Sequence, residues 1–168
     1  MKKIRRVMEN EIEALSALAT EIVREHFDPL IGTAQNDYML SKFQTVEAIR
    51  EQFLSGYRYY WVFLGDEVAG FYAIYPRDGK MYLSKFYVSK DKRGNHLAQF
   101  MMDAIVKETI KEGLSSVYLN VNRGNDDVIA IYKHLGFYKL REEKNDIGCG
   151  FYMDDYVLQL DIEGEKNA

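Results

Sequence analysis

The chain has a single cysteine, Cys149, among its 168 residues, which excludes an internal disulfide framework and fits a reducing compartment. Long apolar runs are missing as well. The longest, Tyr-Tyr-Trp-Val-Phe-Leu at residues 59–64, falls far short of the roughly 20 residues that a helical membrane span needs. There is no surplus of cations: Lys and Arg number 22 against 26 Asp and Glu, a net charge of −4. Duplex-DNA binders carry a basic domain with a concentrated stripe, so that class is set aside, while a local basic patch for a small anion stays open. Prolines number only two beside 13 tyrosines, and 47% of the residues are hydrophobic, which speaks against a disordered chain. The first residues, MKKIRRVMENEIEAL, begin basic but meet Glu9, Glu11 and Glu13 before an apolar run forms, so they do not read as a signal peptide. No repeat is visible, and only residues 163–168 read as a frayed tail. The expectation is a cytoplasmic protein of one domain, residues 1–168, large enough to bury a core without staples.

What is present is a change of hydrophobic period. Residues 2–8 suit a short first strand, and Asn10 with Glu13 resembles a capping box. Ile12, Leu15, Leu18 or Ala19, and Ile22 recur at helical spacing, which predicts a helix to about Glu25, then a loop at Asp28-Pro29 and a less regular helical stretch. Thr45 begins a second clear helix with Val46, Ile49 and Phe53 on one face and Gly56 as its stop. Residues 57–64 and 67–75 read as strands around a Gly65-Asp66 hairpin turn, and residues 81–88 as a third strand after Asp78-Gly79. Leu97, Met101 and Ile105 predict a helix over 96–112. A strand at 116–121, a helix at 125–135 closed by Gly136, and strands at 137–140 and 151–160 follow. The class is α/β of mixed α+β type: a central, mostly antiparallel β-sheet flanked by helices on both faces.

A ligand site is expected where the single crossover helix starts, because the first N–H groups of a helix point past the end of the preceding strand. There the sequence reads Lys90-Asp91-Lys92-Arg93-Gly94-Asn95-His96-Leu97-Ala98. Three cations flank a glycine that lets the backbone close on a ligand, and the N–H groups of Arg93 to His96 can form a nest at the positive end of the helix dipole. Taken alone, the segment is equally a solvated basic loop. It lacks the Gly-Lys-Ser/Thr end of a P-loop and the glycine triplet of a dinucleotide fold. A second constellation is NDDVIAIYKHLGF at residues 125–137. Asn125 can cap this helix, Asp126 and Asp127 suit its first turn, and Lys133 and His134 its last. Val128, Ile131 and Leu135 are expected as its buried stripe with Tyr132 on the edge, where Tyr132 alone reads as ordinary core.

Together, and in this order, the two segments resemble the GNAT superfamily of acyl-CoA N-acyltransferases, over residues 61–137. LSKFYVSKDKRGNHLAQFMM looks like the family's strand-turn-helix motif for the cofactor, with Arg93 and Ala98 matching the first and last positions of the pattern and His96 where the pattern has glycine. NDDVIAIYKHLGF is similar to its second motif, N…A…Y…LGF, and departs little from it.

The resemblance implies a GNAT-like fold whose cleft, between strands ending near Val88 and Asn120, admits acetyl-CoA. Backbone groups of Phe86, Tyr87 and Val88 would hold the pantetheine arm and the acetyl carbonyl. Backbone N–H groups of Arg93, Gly94, Asn95, His96, Leu97, Ala98 and Gln99 would take the pyrophosphate, and Asn125 would reach the pantetheine or adenosine side. The His96 side chain could crowd the pyrophosphate or donate to it. Tyr132 occupies the family's general-acid position. An amine would attack the thioester directly, so Cys149 is not needed as a nucleophile.

The residue types agree with that chemistry. The N–H of Val88 could stabilise an oxyanion, and the departing thiolate needs a proton that a tyrosine can give. The base stays open, because residues 81–86 contain no acid. Ordered water, Tyr82, Asp28, Asp154 and Asp155 are the candidates. His26, His96 and His134 are too scattered for zinc, and no metal is expected. The leading expectation is an acetyl-CoA-dependent N-acetyltransferase acting on a small-molecule, polyamine or peptide amine. The rival is a non-catalytic acyl-CoA-binding or regulatory module on the same fold. An RNA-binding sheet is disfavoured because too few basic residues interleave the tyrosines, so neither nucleic acid nor membrane is an expected partner. The aromatic final strand is a candidate edge for a homodimer. The segments 25–44 and 141–150 are expected to be the loops that set substrate identity.

Overall fold

The computed structural model describes residues 1–162, and the side chains of these except at 26–31, 33 and 41–43. The expected tail, 163–168, lies outside the described residues. Seven strands form one sheet in the order β1-β2-β3-β4-β5-β7-β6. The pairings β1–β2, β5–β7 and β6–β7 are antiparallel and β4–β5 is parallel, so the sheet is mixed as expected. The chain divides into two compact units: residues 1–73 with 85–97, and residues 74–84 with 98 onward.

The first unit starts with β1 (Lys2–Arg6), paired with β2 (Arg58–Leu64) so that Ile4 opposes Val62. A 3-10 turn at Glu9–Glu11 leads into α1 (Ile12–Ile31), followed by α2 (Thr33–Phe43) and α3 (Val46–Leu54). The helical periodicity holds: Ile12, Leu15, Ala19 and Ile22 are buried and pack with Ile49, Tyr59, Trp61 and Phe71 in one core. The Thr45 hydroxyl accepts the Ala48 N–H at 3.1 Å, as a cap should. The expected Asn10–Glu13 box is displaced. Glu11 accepts the Met8 N–H at 2.9 Å instead, because Arg5 clamps its carboxylate at 3.0 and 2.8 Å. The expected loop at Asp28-Pro29 is helix: α1 runs through Pro29 to Ile31, giving up the one hydrogen bond that proline cannot donate. β3 (Glu67–Arg77) and β4 (Lys80–Val88) complete the meander and run through both units.

α4 (Leu97–Lys111), which belongs to the second unit from Ala98 on, buries Met101, Met102 and Ile105. It leads to β5 (Ser116–Asn122), α5 (Asp126–His134), β6 (Tyr138–Gly148) and β7 (Phe151–Asp161). Two readings are corrected here. The buried side chains of α5 are Ile129 and Tyr132, while Ile131 is 46% exposed. The 141–150 loop is mostly strand, since β6 continues to Gly148 with Glu143 opposite Asp155 and Asp146 opposite Tyr152. The turn at Cys149 and Gly150 has φ of 54° and 78°, the left-handed pair that a tight two-residue hairpin requires. The other expected loop, 25–44, is mostly the end of α1 and all of α2.

Candidate active site

Phe86, Tyr87 and Val88 end β4, and the backbone there is pressed against β3. A Cβ on Gly70 would lie 2.1 Å from the Tyr87 carbonyl oxygen and 3.0 Å from the Val88 Cα, so only glycine admits this approach. Just beyond, the Ser89 N–H donates to the Ala69 carbonyl at 2.7 Å. A 3-10 turn at Lys90–Lys92 follows, and then the segment expected to hold an anion.

Gly94 and His96 both have left-handed backbones, with φ of 84° and 58°. Space around the missing Gly94 side chain is open, and the His96 imidazole is exposed. Asn95 braces the turn by donating to the Lys92 carbonyl at 2.8 Å. Among the described residues, no N–H from Gly94 to Gln99 donates to a backbone carbonyl outside α4. The first N–H groups of α4, at Leu97, Ala98 and Gln99, have no partner within the helix either. The cations divide. Lys92 meets Glu67 at 2.7 Å and Lys90 meets Glu25 at 3.8 Å, whereas Arg93 makes no ion pair among the described residues. An exposed arginine and a run of N–H groups without backbone partners outside the helix thus stand next to one another in the chain just before and at the start of α4, residue types that suit an anion.

Asn125 sits at the N-terminus of α5 and is 5% exposed. Its carbonyl accepts the Ile129 N–H at 3.0 Å, but its side chain does not cap the helix as expected. Tyr132 is 6% exposed on the same helix. The helix end fixes its ring: the Phe137 N–H donates to the Tyr132 carbonyl at 3.0 Å and the Gly136 N–H to the Lys133 carbonyl at 3.0 Å, the paired bonds of a Schellman motif. The apolar contact that accompanies that motif is the edge-on packing of Tyr132 on Phe137, with centroids 5.4 Å apart. The Leu-Gly-Phe ending thus positions the tyrosine. Of the expected residues, Phe86 to Leu97 belong to the first unit, and Ala98, Gln99, Asn125 and Tyr132 to the second.

Two polar clusters go beyond the sequence expectations: the one around Lys85 was not anticipated, and in the other only Tyr82 and Asp155 were among the candidate bases, without their partners Asn120 and Glu143. In the first unit Lys85, 5% exposed, donates to Gln44 Oε1 and Gln52 Oε1 at 2.9 Å each and to the Tyr59 hydroxyl. Burial pulls its amine down to about 7 and pushes the Tyr87 phenol up to about 12. In the second unit Asn120 Nδ2 donates to Glu143 at 3.2 Å and to Asp155 at 3.4 Å, while Asn120 Oδ1 accepts from the Tyr82 hydroxyl at 3.3 Å. Burial first, and then the charges of Glu143 and Asp154, raise the Asp155 carboxyl to about 6. Glu143, hydrogen-bonded by Arg141 at 2.8 Å, is held below the usual carboxylate range. The alternation along β7 was the available signal, since it puts Asp155 in step with Val157 and Gln159 and leaves Asp154 on the other face.

Among the described residues no group of three or more His, Cys, Asp or Glu side chains is placed to hold a metal ion. No described helix is long and apolar enough to cross a membrane.

The model of the acetyltransferase (GNAT) family matches residues 20–137. No curated protein sequence matches the chain. Solved structures resemble it in fold. The PaiA N-acetyltransferase of Thermoplasma acidophilum, in complex with coenzyme A, aligns at a TM-score of 0.78 with 17% identity, over 96% of this chain and 99% of that one. A GCN5-related N-acetyltransferase of Rhodopseudomonas palustris aligns at 0.78 with 14% identity, over 96% of each chain. The ribosomal-protein-S18-alanine N-acetyltransferase of Escherichia coli aligns at 0.70 with 17% identity, over 97% of this chain and 95% of that one.

Proposed function

Because the chain belongs to the acetyltransferase (GNAT) family, which matches it over residues 20–137, we propose that it moves an acetyl group from acetyl-CoA directly to a primary amine. The observation that carries this reading is the segment from Arg93 to Gln99, whose N–H groups and guanidinium suit a pyrophosphate. Open space at Gly94 and the outward His96 imidazole are compatible with a ligand lying across the turn.

The chain's own groups supply the rest. Arg93 and the α4 N-terminus bind the pyrophosphate, and Asn125 supports the pantetheine or adenosine side. The backbone of Phe86 to Val88 orients the acetyl carbonyl, and the Val88 N–H stabilises the oxygen as it gains charge. The amine attacks the thioester carbon while bound beside it, with no acyl-enzyme, so proximity provides much of the rate. Tyr132 donates its phenolic proton to the departing sulfur, whose own thiol pKa lies near 8.5. The amine is a small molecule, a polyamine or a peptide terminus.

The first test is thermal unfolding with acetyl-CoA, CoA and a panel of amines. Acetyl-CoA at about 100 times its dissociation constant should add about 2.7 kcal/mol of stability. An amine that adds a further shift is the acceptor to assay. No shift with either CoA species would overturn both the enzyme and a non-catalytic binding module on this fold.

A further inference from the structure

Resting on the acetyltransferase reading above, we propose that Asp155 is the base that takes the proton from the acceptor's ammonium nitrogen, held in place by Asn120 and opposed by Glu143. An amine is protonated near neutral pH and cannot attack until it gives up that proton. β4, with no acid at residues 81–86, does not supply the acceptor for it.

Among the described residues Asp155 is the buried acid, 2% exposed. Its neighbours in sequence and on the strand are committed elsewhere. Asp154 is bound by Arg123 at 2.9 Å, and Asp161 accepts from Tyr138 at 3.1 Å and Gln159 at 2.9 Å. The sheet places Asp155 at a defined spot. β4 and β5 pair at Met81↔Val117 and Tyr82↔Tyr118. Asn120 lies two residues beyond the second pair on β5, and β7 brings Asp155 diagonally beside it, with Asn122 directly opposite Asp155. The carboxylate is therefore next to the point where β5 runs on past that parallel pairing.

The cluster is also polarised in a fixed sense. Carboxylates only accept, so Asn120 turns its NH2 toward Glu143 and Asp155 and its oxygen toward the Tyr82 hydroxyl. The groups gathered on its face are Tyr82 from β4, Tyr118 and Asn120 from β5, and Arg141 and Glu143 from β6, while Asp154 lies on the opposite face of β7 and acts on it through its charge alone. Arg141 keeps Glu143 ionised, and its charge together with burial makes Asp155 the carboxylate that gains a proton first as pH falls. Two carboxyls whose environments drive them apart mark an acid/base pair with separate roles.

The step balances without an oxidant. One N–H bond of the ammonium group breaks and its proton goes to Asp155. The nitrogen lone pair forms the C–N bond, the C–S bond breaks, and sulfur takes the Tyr132 proton. The second N–H proton, released as the amide forms, restores Tyr132 through solvent, and Asp155 returns its own to water.

The test compares wild type with Asp155→Asn and Glu143→Gln. It follows acetyl transfer from acetyl-CoA to a panel of aliphatic polyamines, amino acids and an alanine-initiated peptide, from pH 5 to 9. Asp155→Asn should keep the thermal shift with acetyl-CoA while losing about 100-fold or more in kcat/KM and abolishing the acid limb near pH 6. Glu143→Gln removes the neighbouring charge and should move that limb to lower pH, which a merely structural role would not do. Retained kcat/KM with an unchanged acid limb in Asp155→Asn overturns the proposal, as does an unmoved limb in Glu143→Gln. If wild type binds acetyl-CoA but acetylates none of the amines, the acetyltransferase reading fails first and the base assignment falls with it.

Discussion

Tyr132 does two jobs that a single oxygen separates. Its ring is packed edge-on against Phe137, so burial of the ring carries the structural role. Its hydroxyl carries the proposed chemistry. Tyr132→Phe should therefore unfold within about 1 kcal/mol of wild type and bind acetyl-CoA as well, yet lose about 100-fold in turnover. Parallel kcat and thermal-shift measurements check this, and intact turnover would remove Tyr132 from the mechanism. His96 poses the opposite case, a side chain where the backbone favours none. At φ of 58° an L-residue carries strain that glycine does not, partly offset by glycine's greater freedom when unfolded. His96→Gly should raise stability by roughly 0.5–1 kcal/mol in denaturant unfolding. If the imidazole donates to the pyrophosphate, the same change should shrink the acetyl-CoA thermal shift; if it only crowds the ligand, the shift should grow.

At the scale of elements, legibility followed how local the cause was. The stop of α5 was readable because Gly136 alone can take φ of 104° there. That stop also has a packing partner, since a Cβ on Gly136 would meet Leu160 Cδ1 at 3.1 Å. Gly136→Ala should cost about 1–2 kcal/mol through strain and this contact, and should loosen the Tyr132–Phe137 packing. Chemical denaturation measures the first effect and near-ultraviolet circular dichroism the second. The α1 helix through Pro29 and the long β6 strand were not readable, because each departs from local preference. Asp28-Pro29 reads as a break, and Arg141 to Asp146 offers no apolar alternation, as an exposed edge strand need not. The candidate site divides the same way. The turn proposed to bind the anion and Tyr132 lie in contiguous motifs, whereas Asn120, Glu143 and Asp155 meet only through the register of three strands, with β7 seated between β5 and β6 in the sheet.

For the whole molecule, the buried Lys85 and Asp155 give stability an unusual pH dependence. Lys85 has a folded value of about 7 against an ordinary 10.5. Below pH 7 both states are protonated and burial of the ammonium group costs its full amount, whereas between 7 and 10.5 the unfolded chain holds a proton that the folded chain has released. Stability rises across that window by up to ~1.4 kcal/mol per pH unit. Asp155 has a folded value of about 6 against 3.8, so the folded chain holds the extra proton between those values and stability falls as pH rises through them. Glu11, clamped by Arg5 and lowered to about 2, acts only in stronger acid, adding stability above 4.5 that is lost toward pH 2. Tyr87, raised to about 12, acts only above pH 10. The contribution of Lys85 and Asp155 to stability is therefore lowest near pH 6–7, where single domains more often have their maximum. Urea unfolding at half-unit steps from pH 5 to 9.5 should show the rise on the alkaline side. Lys85→Met should flatten it, because the slope belongs to that one amine, even though the change also takes a donor from Gln44 and shifts the absolute stability. A slope that survives the substitution would assign the effect to other groups and remove Lys85 as its source.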